Sequence, residues 1–304
     1  MSTEIIEKIN KLKAERNAVI LAHNYQVGEV QDIADFTGDS LGLSVQAATT
    51  DADVIVFCGV QFMAETAKIL SPDKTVLIPE PEAGCPMADM ITADQLKDMK
   101  AKHPGALVVC YVNSTAEVKA ESDYCCTSSN AVDLVSRLPE NAEIIFVPDQ
   151  HLGGFVVEKT GRELILWPGY CSTHVWISAE AIESAKREHP DAVVLAHPEC
   201  GKKVSYLVDE FLSTGQMLTY AKNSPKKELI IATEIGIIHS LKKANPDKEF
   251  YPADNAICPN MKKINLEKVA WALEDMQYDV TVDPDIAAKA KASLDRMLEV
   301  IPSR

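Results

Sequence analysis

No apolar run in this chain of 304 residues approaches the length of a membrane-spanning helix. Nor does a basic start lead into an apolar segment, so the charged residues 1–17 are not a secretory signal. Ile5, Ile6, Ile9 and Leu12 instead fall at helical spacing and predict an amphipathic helix over residues 1–16. Basic side chains are in the minority: 30 Lys and Arg against 45 Asp and Glu leave a formal charge of −15. That balance argues against nucleic acid and against an anionic membrane as partners. An anionic small molecule remains open to such a chain if a metal, helix N-termini or a few lysines supply a local positive field. No CxxC or CxxxCxxC pattern occurs, so local spacing names no metal. Eight cysteines without a secretion signal read as free thiols, metal ligands or catalytic groups in a reducing compartment, which places the protein in the cytosol.

What is present is a long-period repeat. Thr75-Val76-Leu77-Ile78-Pro79 leads into Cys85, Leu164-Ile165-Leu166-Trp167-Pro168 into Cys171, and Phe250-Tyr251-Pro252 into Cys258. These cysteines lie 86 and 87 residues apart. Each unit opens on a buried apolar run (from Ala18, Ala106 and Ala192) and has a second at Val54, Ile144 and Leu229. Continuous Val/Ile/Leu runs suit parallel strands covered on both faces by helices. Each unit therefore reads as strand–helix–strand–helix–strand. The expected fold class is α/β, with three pseudo-threefold-related αβα sandwich domains and short parallel sheets around a common centre. The units are placed at residues 17–104, 105–190 and 191–273, with closing helices over 274–304.

Aligning the units brings further residues into register. His23, Tyr111 and His197 coincide at spacings of 88 and 86, and Tyr25, Asn113 and Glu199 coincide two residues on. Ser40, Ser128 and Thr214 recur at the same spacings, each just before a helical pattern. Taken singly, such a hydroxyl is an ordinary helix cap, a strand-end histidine is a satisfied core or surface group, and a buried cysteine is a small hydrophobe. Threefold recurrence in register points instead to a shared site. Three helix starts facing one axis would offer unpaired N–H groups and positive dipole ends to an anion. Three thiolates, from Cys85, Cys171 and Cys258, would leave a metal with an open position. They suit zinc or a 4Fe–4S cluster with one iron free as a Lewis acid, and residue chemistry favours iron–sulfur. Cys58 and Cys110 read as core, Cys125 and Cys126 as structural; Cys200 has no repeat partner.

Seven dispersed motifs carry a family resemblance: Ala22-His23-Asn24-Tyr25, Tyr111-Val112-Asn113, Thr127-Ser128-Ser129-Asn130-Ala131, Pro168-Gly169-Tyr170-Cys171 with His174, His197-Pro198-Glu199-Cys200, Thr233-Glu234-Ile235-Gly236 and Cys258-Pro259-Asn260-Met261-Lys262. In this order and spacing the chain resembles the quinolinate synthase family of de novo NAD biosynthesis. The resemblance implies one 4Fe–4S cluster per chain on Cys85, Cys171 and Cys258. It also implies condensation of iminoaspartate with dihydroxyacetone phosphate to quinolinate, phosphate and water, the imine coming from an L-aspartate oxidase or an aspartate dehydrogenase. By the same carry-over, His23, Ser40, Tyr111, Val112, Asn113, Ser128, His197, Pro198, Glu199 and Thr214 would hold substrate. Glu199, Tyr111, His23 and His197 would move protons or orient oxygens, with Tyr25 and His174 next on the reacting face. The residues Ala256-Ile257-Cys258-Pro259 lack the CxxC of some family members, which removes the basis for a thiol switch there. The rival readings are a radical-generating cluster enzyme like those of diphthamide biosynthesis and a non-enzymatic metal or redox sensor.

Overall fold

The computed structural model describes residues 2–300. Its strands form three four-stranded sheets, and all pairings between these strands are parallel. The first sheet holds β1 (Ala18–His23), β2 (Phe36–Gly38), β3 (Val54–Cys58) and β4 (Thr75–Leu77) in the order β2-β1-β3-β4. The second holds β5 (Leu107–Tyr111), β6 (Tyr124–Cys126), β7 (Ile144–Val147) and β8 (Ile165–Leu166) in the order β6-β5-β7-β8. The third holds β9 (Val193–Ala196), β10 (Glu210–Phe211), β11 (Glu228–Ala232) and β12 (Glu249–Pro252) in the order β10-β9-β11-β12. The three units thus share one topology. In each, the chain leaves the first strand toward one edge and the third toward the other. A crevice therefore opens between them at their carboxyl ends, where ligands of such sheets bind.

The expectation of three strands per unit is corrected to four. The overlooked edge strands are only two or three residues long, too short for a pattern of period two to show. Each is pinned by an aspartate just before it: Asp35, Asp123 and Asp209 accept the backbone N–H of Ile20, Val108 and Val194, each at 2.8 Å. These aspartates carry the repeat spacing and are the signal that the strand patterns lacked.

Alternation along the strands sorts the core. Val19 and Leu21 of β1, Leu195 of β9, and Leu229 and Ile231 of β11 face the large cluster shared by all units. Ile20 and Ala22 face a cluster on the far side of the first sheet, and Val194, Ile230 and Ala232 face one on the far side of the third. The helix Ser2–Glu15 covers the first of these outer faces through Ile9, with Ile5, Ile6 and Leu12 partly buried beside it. The helix Leu266–Asp275 joins it there, so residues 264–273, expected in the third repeat, pack on the first sheet. The chain then runs antiparallel along β4, with Val280 N–H donating to Val76 O at 2.7 Å. It ends in the helix Pro284–Leu298, which packs on β6 and on the helices Ala116–Ala120 and Gln61–Leu70. No helix among the described residues is long and apolar enough to cross a membrane.

Candidate active site

The strand register that faces the shared core also aims the strand ends. Continuing from Val19 and Leu21, the inward positions are His23 and Tyr25; in the other units they are Tyr111 with Asn113, and His197 with Glu199. All six line one central cavity. Val112 and Pro198 fall on the intervening positions and do not line it. Ser40, Ser128 and Thr214 do, and so do Cys85, Cys171, Cys258 and His174. Cys58, Cys110, Cys125, Cys126 and Cys200 are buried elsewhere.

The helix starts meet at the end of the cavity that the hydroxyls line. Ser40 and Thr214 are the first residues of the helices Ser40–Thr49 and Thr214–Asn223, whose caps are Asp39 and Ser213. Ser128 precedes the helix Ala131–Arg137. A contact unforeseen from the sequence ties these starts together. Ser129 Oγ lies 2.7 Å from Asp39 Oδ2 and 2.9 Å from Ser213 Oγ, so one residue from each unit meets the others. Asp39 and Ser213 share the repeat spacing with Thr127, but the second unit enters the trio through Ser129, two residues on, so the spacing alone does not pick it out.

The two histidines are set as matching donors. His23 Nδ1 accepts the Tyr25 N–H at 3.1 Å, and His197 Nδ1 accepts the Glu199 N–H at 3.3 Å. Each neutral ring therefore carries its proton on Nε2; that of His197 lies 3.1 Å from Ser128 Oγ. Burial pushes both histidines down to about 4, so they stay neutral hydrogen-bond donors near neutral pH.

Glu199 is the hub. Its Oε1 accepts from Tyr111 Oη at 2.8 Å, and its Oε2 lies 2.7 Å from His174 Nδ1. Burial alone would raise its carboxyl, but His197, His174 and the Tyr111 hydroxyl hold it well below the usual range. Burial and the Glu199 charge push Tyr111 up, keeping its proton on. His174 Nε2 lies 2.8 Å from Thr233 Oγ1, which is 2.5 Å from Tyr25 Oη. His174 Nδ1 also sits 3.1 Å from Cys171 Sγ, and the donor atoms of Cys171, His174 and Glu199 all fall within 4.8 Å, close enough to hold a metal ion.

The three cysteine loops repeat one local design. The carbonyl of each cysteine accepts the N–H four residues on: Asp89 at 3.3 Å, Val175 at 3.1 Å and Lys262 at 3.3 Å. The short 3-10 turns Ala88–Met90, His174–Trp176 and Met261–Lys263 follow from this closure. Within each turn, backbone N–H groups two and three residues on act on the sulfur: Met87 and Ala88 on Cys85, Thr173 and His174 on Cys171, Asn260 and Met261 on Cys258. They only partly offset burial, which pushes the Cys85 thiol up to about 12 and raises the other two.

The family model described as "Quinolinate synthetase A protein" matches residues 7–299. The chain is 57% identical over 298 residues to "Quinolinate synthase" from Dehalococcoides mccartyi, covering 98% of each chain. It is 55% identical to "Quinolinate synthase" from Methanosarcina barkeri, again over 98% of each.

The chain belongs to the quinolinate synthase family.

Among solved structures, the E-1-hydroxy-2-methyl-but-2-enyl-4-diphosphate reductase from Plasmodium falciparum aligns over 90% of this chain and 94% of its own. It does so at 16% identity and a TM-score of 0.32, too remote to support an argument. The quinolinate synthase relatives are named as enzymes and match this chain end to end, so the cavity is the active-site candidate of an enzyme. The residues that sequence reasoning passed over as site groups, Thr233 and Glu234, stand in one of the seven motifs. What they contact shows only in three dimensions.

Proposed function

We propose that this chain condenses iminoaspartate with dihydroxyacetone phosphate, releasing quinolinate, phosphate and water without net oxidation or reduction. The observation that carries the reading is the lining of the one cavity. Three thiols stand among neutral histidine donors, a buried Tyr–Glu pair and three hydroxyls at helix starts. Two anionic substrates need such counter-groups in a chain with a formal charge of −15.

Cys85, Cys171 and Cys258 would hold a 4Fe–4S cluster. Burial disfavours their charged form, so thiolates at these positions need a cation, and the loop N–H groups aimed at each sulfur are the donors that metal-bound thiolates take. Three cysteines from three separate units, all lining the cavity, suit a polynuclear centre with one position open. When bound, a cluster with one iron free of protein ligands supplies a Lewis acid for a carboxylate or hydroxyl.

The residues of the chain do the rest. Ser40, Ser128 and Thr214, with the backbone N–H groups of their helix starts, take the phosphate or a carboxylate. The Nε2–H groups of His23 and His197 orient anionic oxygens without adding charge. Asn113 Oδ1 is buried with no hydrogen-bond partner among the described residues and offers an acceptor to an imine or amine N–H. Glu199 and Tyr111 exchange protons with the triose carbons and the forming ring, a general acid–base role that the 2.8 Å contact between them allows. Tyr25 and His174, linked through Thr233, stand at the cysteine end of this row. Val112 and Pro198 serve by fixing the register of their neighbours. The protein acts in the cytosol on small molecules, supplied with the imine by an L-aspartate oxidase or an aspartate dehydrogenase.

The test is anaerobic protein given freshly generated iminoaspartate and dihydroxyacetone phosphate, with quinolinate followed by chromatography. Product from the parent, and neither product nor cluster absorbance from Cys171→Ala, is the expected result. No quinolinate from cluster-loaded parent protein would overturn the reading.

A further inference from the structure

Behind two of the three cysteine loops stands a buried carboxylate that the proposed chemistry does not use. The sheet registers identify the two as equivalent positions. Ile55, Ile144 and Leu229 pair with Val19, Leu107 and Val193 respectively. Five residues past each come Val60, Asp149 and Glu234, all buried.

Glu234 is fully buried, and its contacts converge on the third loop. Its Oε1 accepts the Cys258 backbone N–H at 3.1 Å and pairs with Lys262 Nζ at 2.8 Å. Its Oε2 accepts the Gly236 N–H at 2.7 Å. Lys262 also donates to the Tyr25 carbonyl, while its own N–H closes on the Cys258 carbonyl. Both backbone polar groups of Cys258 are thus fastened, and the fastening reaches the β1 end that carries Tyr25. Asp149 is likewise fully buried. A parallel bridge to Gly169 seats it two residues from Cys171. Its Oδ1 accepts the N–H groups of His151 and Leu152, both at 2.7 Å. Burial, and after it the Glu199 charge, push its carboxyl up to about 8 against the backbone N–H groups of Leu152, His151 and Cys171, and Oδ2 closes no hydrogen bond to a partner among the described residues. The first unit has the buried, apolar Val60 at this place.

We propose that Glu234 and Asp149 are positioning residues, each holding one cysteine loop in ligating geometry from behind: Glu234 that of Cys258 through its N–H and Lys262, Asp149 that of Cys171. Supporting groups that orient metal ligands are worth roughly 10–100-fold in metal affinity in other proteins. The design is unequal across the three repeats, since the equivalent place holds a carboxyl in two units and the apolar Val60 in the first. The inference rests on the three thiols forming one metal centre, but its first test does not require the metal.

The first arm uses the full-length, cluster-free chain. It is alkylated with iodoacetamide, and labelling of each cysteine is followed by peptide mass spectrometry in the parent, Glu234→Ala and Asp149→Ala. The expected pattern is crossed: Glu234→Ala speeds labelling of Cys258 at least fivefold and leaves Cys171 within twofold, and Asp149→Ala does the reverse. Cys85 is unchanged in both. Equal acceleration at all three cysteines would mean general loosening and overturn the proposal, as would no change at any. Glu234→Gln, which keeps an acceptor for the Cys258 N–H but loses the charge paired with Lys262, should lie between parent and Ala. It guards against an Ala variant that does not fold. The second arm loads iron and sulfide and times iron release to a chelator; Glu234→Ala should release it about tenfold faster. If the parent loads no iron, the cluster reading falls, while the labelling pattern still decides the positioning roles.

Discussion

Replacing Glu199 by Gln separates chemistry from architecture at the hub of the site. The change is isosteric, and the amide can still serve both partners: its oxygen accepts from Tyr111 Oη, and its NH2 faces His174 Nδ1. What is lost is charge. Hydrogen bonds to charged groups are worth about 1.5–3 kcal/mol against about 0.5–1.5 kcal/mol for neutral ones, so two bonds forfeit roughly 2 kcal/mol. Relief from keeping a fully buried carboxylate ionised offsets part of that. Folding stability should therefore fall by no more than about 2 kcal/mol. Turnover should fall ~100- to 10,000-fold, as for loss of a general acid–base group, which corresponds to roughly 3–5 kcal/mol on the barrier. The assay is quinolinate formation at saturating substrates on protein matched for iron and sulfide, beside urea denaturation of the same preparation. Turnover within threefold of the parent, with the metal content intact, would refute the proton-transfer role.

Alanine at Cys85, Cys171 or Cys258 should abolish cluster absorbance and product alike. Cys200→Ala, outside the cavity lining, should keep both, as iron and sulfide analysis will show. Asp39→Ala removes a helix cap worth about 1 kcal/mol and acceptor contacts to Ser129 and Ser213 worth about 1–2 kcal/mol, so unfolding in urea should come about 2–3 kcal/mol earlier. Asp39→Asn, able to cap, should lose less. For pH, burial lowers the folded-state value of His23 from 6.5 to about 4, so between those limits the unfolded chain binds the extra proton and stability drops as pH falls. The full effect is about 3 kcal/mol and is absent above pH 6.5. Unfolding free energies at pH 7.5 and 5.0 should accordingly differ by less in His23→Gln than in the parent.

The parts of this architecture legible in the sequence are those that the repeat wrote three times in recognisable chemistry. Cys85, Cys171 and Cys258 recur as one residue type, and the strand-end pairs from His23 to Glu199 share a register that alternation converts directly into a direction. The edge strands were hidden because a three-residue strand such as Phe36–Gly38 has no period to detect; its evidence is a single aspartate bonding back to the neighbouring strand. Asp39 and Ser213 hold equivalent positions, but their partner Ser129 lies two residues past the equivalent Thr127, so nothing marked the three as a set. Val60, Asp149 and Glu234 are harder still, since the same place is apolar in one unit and acidic in two. The packing of residues 264–273 on the first sheet has no local signal at all, because an amphipathic helix states that it needs a surface but not which one.

The strap made by the last residues has a consequence for biogenesis. Chain segments fold roughly in the order in which they leave the ribosome. The helices Leu266–Asp275 and Pro284–Leu298, which clasp the outer face of the first sheet and the flank of the second, emerge after all three sheets have been made. Until then the nascent chain presents Cys85 and Cys171 on units not yet buckled together, with Cys258 the last thiol to appear. A metal held by all three thiols can therefore be fixed only once the third unit has joined the other two and these helices have closed over them.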